Sequence, residues 1–129
     1  MQVSPAVLED VRRLIAEVLQ LEFDEVRPAA TFFNDLGGES LDLLELSFHI
    51  DKHLGVRVRF NDLTADAVEL DDQGRLTSSS LALLRTKFPF LKLEGLETRP
   101  LERRSDLLTV EAIAGFVQMA LDARAARVS

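Results

Sequence analysis

Apolar residues recur at helical spacing in three long stretches of the chain. Ser4-Pro5 supplies a capping residue and then proline at the first helical position, and Val7, Leu8, Val11, Leu14, Ile15, Val18 and Leu19 follow on one face, so a first helix is predicted to end near Leu21. A second stretch opens at Ser40 and stops at Gly55. The third begins after Thr109, a capping residue, with Val110, Ile113, Ala114, Val117, Ala120 and Leu121 on one face, and is expected to fray after Ala125. Residues 22–38 have no sustained period and include Pro28. They read as a long loop pinned to the bundle by Val26, Phe32, Phe33 and Leu36.

On a wheel of about 100° per residue the second helix sorts into two apolar stripes. Leu43, Leu46, Ser47, Ile50 and Leu54 form one, and Leu41, Leu44 and Phe48 form another, with Asp42, Glu45, His49 and Lys52 on the polar arc between them. A helix in a small bundle needs a single stripe to bury. The second stripe therefore either packs on another part of the chain or meets a partner.

Between the second and last helices the pattern changes. Val56-Arg57-Val58-Arg59-Phe60 alternates as an extended segment does. Ala67-Val68-Glu69-Leu70 and Arg75-Leu76-Thr77 flank Asp71-Asp72-Gln73-Gly74, the turn chemistry of a small β-hairpin; calcium binding there would need more carboxylates at alternating positions. Thr77 or Ser78 can cap a short helix bearing Leu81, Leu84, Arg85 and Phe88, which Pro89 ends. Phe90-Leu91-Lys92-Leu93 is expected to run extended, and residues 94–105 to be loop.

With 129 residues the chain is expected to be one domain with a core that needs no staples. It has no cysteine, which excludes disulfides, thiolate metal sites and a thioester on its own side chains. The net charge of −7 is concentrated: residues 1–56 hold 4 Lys or Arg against 11 Asp or Glu, whereas residues 57–104 hold 9 against 8. An acidic first half suits basic partners and disfavours nucleic acid. No apolar run is long enough to cross a bilayer and no basic leader precedes one, so a soluble cytoplasmic protein is expected. His49 and His53 stand one turn apart, a spacing open to metal, but Ile50 occupies the place a zinc hydrolase gives to glutamate and no third ligand is evident in the sequence. No metal is expected there, and no catalytic constellation can be assembled elsewhere.

The chemistry centres on Asp35-Leu36-Gly37-Gly38-Glu39-Ser40-Leu41-Asp42-Leu43-Leu44-Glu45-Leu46. The glycines permit a sharp turn that holds the Ser40 hydroxyl toward solvent at a helix start, where unpaired amides and the helix dipole welcome an anion; the plainer reading makes Ser40 a helix cap only. This stretch resembles the signature of the acyl carrier proteins, in which Asp-Ser-Leu follows a Leu-Gly turn and the serine receives 4′-phosphopantetheine. Val26-Arg27-Pro28 and Phe32-Phe33-Asn34-Asp35 resemble the family's first loop, and Leu108-Thr109-Val110-Glu111-Ala112 the opening of its last helix. Glu39 stands where the family usually has aspartate, which bears on which transferase accepts the chain.

The resemblance implies an all-α, acyl-carrier-protein-like bundle with core residues 1–58 and 106–126 and an insertion at about 59–105 carrying the hairpin and the extra helix. It implies a carrier, not an enzyme. Ser40 is the implied attachment point for an arm taken from coenzyme A, Asp35 and Glu39 serve transferase recognition, and Leu41, Asp42, Leu44, Glu45 and Phe48 dock partners. Those partners are a phosphopantetheinyl transferase and acyl-transferring or chain-elongating enzymes of fatty acid, polyketide or lipid synthesis, and the carrier itself is expected to be a monomer. An aminoacyl or peptidyl carrier is the alternative within the class; a helical adaptor binding one protein through Leu41, Leu44 and Phe48 is the alternative outside it. The insertion resembles that of specialised carriers delivering very long acyl chains to lipid A.

Overall fold

The computed structural model describes residues 3–60, 69–91 and 104–128. Among these residues the structure is helical: α1 spans Pro5–Leu19, α2 Ser40–Leu54, α3 Ser78–Lys87 and α4 Val110–Val128. Ser4 caps α1, its Oγ accepting the N–H groups of Ala6 at 3.2 Å and Val7 at 3.4 Å. The last helical residue, Leu19, lies two residues before the predicted end near Leu21; Gln20 caps the helix in the left-handed conformation, and the Leu21 N–H returns to the Ala16 carbonyl. Helix α1 is central, packing on both α2 and α4. Val11, Leu14 and Ile15 of α1, Leu46 and Ile50 of α2, and Val110, Ile113, Ala114 and Val117 of α4 belong to one buried cluster.

The predicted loop is ordered by its apolar anchors and by the needs of α4. A 3₁₀ turn at Phe23–Glu25 opens it, and Arg12 of α1 holds it by donating from Nε to the Val26 carbonyl at 2.6 Å while lying 4.0 Å over the Phe23 ring. Val26 and Phe32 are completely buried. The first amides of a helix have no partners within it. Here the Val110 and Glu111 N–H groups donate to the carbonyls of Ala30 and Pro28, each at 2.9 Å, and Ala112 donates to Thr109 Oγ1 at 3.1 Å. Phe32 in turn donates to the Leu108 carbonyl at 3.0 Å beside an antiparallel bridge between Thr31 and Thr109. Loop and α4 thus complete each other.

The segment between α2 and α4 corrects several expectations. Val56 and Phe60 are buried and Arg57 and Arg59 exposed, as the alternation predicts. The β-hairpin is not formed as a two-stranded ribbon among the described residues: its described arms share a single bridge, Leu70 to Leu76, while residues 67 and 68 lie outside them. Asp71 draws the chain into a side-chain-closed turn, its Oδ1 accepting the amides of Gln73 at 2.8 Å and Arg75 at 3.0 Å. Those hydrogen bonds, that of Arg75 first, hold the Asp71 carboxyl below its ordinary range. Thr77 donates its N–H to the Glu69 carbonyl at 3.2 Å while its side chain caps α3 by accepting from the Ser80 amide, so the second arm passes directly into the helix. Phe90 and Leu91 form a turn instead of running extended, with the Leu91 N–H on the Phe88 carbonyl, and residues 92 and 93 lie outside the described residues. Of the predicted loop 94–105, residues 94–103 lie outside the described residues; a 3₁₀ turn, Arg104–Leu107, occupies its end.

Helix α3 buries the apolar face its spacing predicts, Leu81, Leu84 and Phe88. An aromatic group carries this face to α4: the Phe116 ring lies 5.0 Å from Phe88, 5.2 Å from Phe90 and 5.6 Å from Phe60 between centroids. The close approach requires Gly115, where a Cβ would come within 2.2 Å of the Phe90 ring. Helix α4 is accordingly buried on more than one face in its first half, including Ala112 and Phe116, which the single predicted stripe omits. It also runs past Ala125 to Val128, and Arg124 ties it to the end of α2 through the carbonyls of Leu54 and Gly55.

Candidate functional site

Ser40 is the first residue of α2, and the cap position before it belongs to Glu39. The Ser40 side chain is exposed and hydrogen-bonds to none of the described residues, so the serine is not the cap. The cap is stabilised by Asp42, whose Oδ2 accepts the Glu39 N–H at 2.9 Å. The helix's first backbone bond runs from the Leu43 N–H to the Glu39 carbonyl, and the Ser40 and Leu41 amides precede it at the positive end of the dipole. An exposed primary hydroxyl without a competing bond, beside amides of the first turn, fits esterification to a phosphate.

The two glycines before it act by different means. Gly37 has φ +72°, the left-handed region. Gly38 is instead a matter of space: it is buried, a Cβ on it would lie 2.4 Å from Phe32 Cε1, and its N–H donates to the Phe32 carbonyl at 2.9 Å. Phe32 is anchored to Leu108, so the ring cannot give way freely. Gly38→Ala is expected to cost about 1–3 kcal/mol through this overpacking, read in a urea melt, and to slow modification of the chain by displacing the start of α2.

Asp35 folds its carboxylate back onto the loop, accepting the Thr31 N–H at 2.9 Å while the Asp35 N–H donates to Thr31 Oγ1 at 2.9 Å. Asp35 and Glu39 are both exposed. The residues of the second stripe share one solvent face, with Leu41 76%, Leu44 52% and Phe48 65% exposed, while the stripe through Leu46 and Ile50 is buried. Beside Phe48 a groove of about 320 Å³ is lined by Ser47, Asp51, Arg57 and Val58. Asp42 is engaged at the cap, so Glu45 presents the more exposed carboxylate of this arc, 3.8 Å from His49 Nε2.

The family model for the phosphopantetheine attachment site matches residues 9–73, half of the chain. Over 53 residues the chain is also 40% identical to the proteins named acyl carrier protein from Helicobacter pylori strains G27 and HPAG1, a match spanning 41% of this chain and 68% of each relative. The chain belongs to the acyl carrier protein family. It is therefore a carrier, not an enzyme, and 4′-phosphopantetheine is its covalent cofactor. Its role implies synthetic enzymes and a transferase as partners. Among the described residues of this carrier protein, no helix is long and apolar enough to cross a membrane.

Sequence reasoning missed one group near these elements. Glu17 of α1 comes close to His49 and His53 of α2, with one ligand-capable atom of each within 4.8 Å of the others. No periodicity reveals that, because it depends on how α1 lies against α2. Nor is His49 a solvated residue as its place on the polar arc implies: its side chain is half-buried and its Nδ1 is fully shielded.

Proposed function

We propose that this protein carries fatty or other lipid acyl chains as thioesters on a phosphopantetheine arm joined to Ser40, and presents them to successive enzymes. The observation that carries the site is the unbonded, exposed Ser40 hydroxyl one residue inside a cap that Glu39 and Asp42 complete without it. The arm supplies a thiol, which the cysteine-free chain lacks. Ser40 supplies the ester oxygen at the dipole's positive end, and Glu39 and Asp35 flank it as exposed carboxylates for the transferase. The whole chain is read as one carrier domain, residues 1–58 and 106–126 forming the core and 59–105 the insertion, and as a cytoplasmic monomer.

A lipid cargo is favoured by the interior. Leu46 and Ile50 of α2 lie in the same buried apolar cluster as Leu81, Leu84 and Phe88, so an acyl chain entering beside α2 meets continuous hydrocarbon. Intact-mass measurement after incubation with coenzyme A and a broad-specificity phosphopantetheinyl transferase tests the attachment, with a single arm expected. A chain that stays unmodified with several transferases is an adaptor instead. Melting the carrier loaded with acyl chains of increasing length tests the cargo: stability rising with chain length supports it, and a flat series rejects it.

Partner enzymes dock on Leu41, Leu44 and Phe48, with Glu45 and Asp42 drawing basic surfaces toward them. Because Phe48 is exposed, Phe48→Ala is expected to change stability by no more than about 0.5 kcal/mol while weakening acyl transfer to a partner severalfold. A large stability loss in the same variant would place Phe48 in the core and remove it from the docking surface.

A further inference from the structure

Three side chains away from Ser40 form a cluster that the carrier function does not use. His49 and His53 are one turn apart on α2, their rings 6.1 Å between centroids and 13° from parallel. Glu17 reaches them from the last turns of α1, the helix that packs against α2, and one ligand-capable atom of each residue lies within 4.8 Å of the others. His49 Nδ1 is buried without a hydrogen-bond partner among the described residues, which leaves one side of that imidazole unsatisfied. Glu17 and His53 are exposed.

We propose that Glu17, His49 and His53 bind one divalent first-row transition-metal ion, zinc in the first instance, and that the ion clasps α1 to α2. Two imidazoles and one carboxylate are borderline donors that suit such a metal, whereas calcium and magnesium prefer oxygen throughout. Bonds of about 2.0–2.2 Å require the three donors to close in from their present spacing. Rotamer changes at Glu17 and His53 supply that movement, because both side chains face solvent and the two histidines are already parallel on one helix face. Three protein ligands leave the fourth tetrahedral position to water or to an incoming group. The surplus of carboxylates in residues 1–56 raises the local concentration of any cation. His49 also lies 3.8 Å from Glu45, so metal at His49 competes for the neighbour of a proposed docking carboxylate. A histidine pair acting alone, or diffuse binding to the acidic face, gives different results in the same experiment.

The test is calorimetric titration of the untagged, chelator-treated full chain with zinc, alongside cobalt, whose visible spectrum reports tetrahedral coordination. One equivalent of zinc is expected to bind, with a tetrahedral cobalt spectrum and a melting temperature that rises with zinc and falls again with chelator. Glu17→Gln and His53→Asn should each weaken zinc binding by at least about tenfold with unchanged far-ultraviolet circular dichroism. Parent-like affinity in Glu17→Gln would overturn the proposal, leaving only a histidine pair. Several equivalents that survive His53→Asn would overturn it in favour of the acidic face, and so would the absence of binding at millimolar zinc.

Discussion

Ser40→Ala is expected to abolish addition of phosphopantetheine completely while leaving the fold as stable as the parent. The first half follows from the proposed chemistry: without the hydroxyl there is no oxygen to esterify, and no other serine of the described residues combines exposure with the first turn after the Gly37-Gly38 bend. Ser47, for comparison, donates to the Leu43 carbonyl at 3.1 Å, and Ser80 is buried under the Glu69 amide. The second half is the more discriminating. A serine acting as a helix cap costs about 1 kcal/mol, within a range of roughly 0.5–2, when replaced by alanine. Here Glu39 holds the cap position and the Ser40 hydroxyl bonds to none of the described residues, so the urea midpoint of Ser40→Ala should match the parent. Intact mass and a denaturation curve on the same preparation read both halves. A residual mass increment would move the attachment elsewhere, and a fall in stability of cap size would return Ser40 to the role of a cap.

Phe116→Ala is expected to be the most damaging single truncation among the aromatic residues, at about 3–5 kcal/mol. Its ring is 7% exposed and is the common neighbour of Phe60, Phe88 and Phe90. Removing it leaves a cavity bounded by rings from two separate parts of the chain, Phe60 after α2 and Phe88 with Phe90 after α3, neither of which can collapse into the space without dragging its own backbone. Phe33→Ala serves as the control, since Phe33 is only partly buried and meets Phe32 edge-on at 5.3 Å. Chemical denaturation of both variants would show a loss for Phe116→Ala well above that for Phe33→Ala; comparable losses would mean that the α3 segment contributes little to the packing of α4. Because native domains are stable by only about 5–15 kcal/mol, the Phe116 variant should lie close to its unfolding threshold at growth temperature.

Local patterning determined the helices and much of the site. A period of 3.6 residues marks α1, α2 and α4, Ser4 and Thr109 are legible as caps, and the two stripes of α2 separate Leu46 and Ile50 from Leu41, Leu44 and Phe48 before any coordinates are known. These features depend on residues within a turn or two of one another. The motif around Ser40 is legible for the same reason, being contiguous in the chain.

What tertiary structure alone decided depends on residues far apart in the sequence. Gly38 reads as a flexible turn residue, yet its backbone needs no special φ; its requirement comes from the Phe32 ring against it. Gly115 answers in the same way to Phe90, and the burial of more than one face in the first half of α4 comes from the loop and from Phe88 and Phe90 in addition to α1, so a single stripe underestimates it. Among the described residues the predicted hairpin is reduced to the bridge between Leu70 and Leu76, because Asp71 closes its own turn and α3 starts directly after Thr77, a competition that propensity does not weigh. Glu17 joins His49 and His53 only across the α1 and α2 contact. In each case the deciding energy is a steric or polar encounter between segments, and no pattern within either segment contains the other's position.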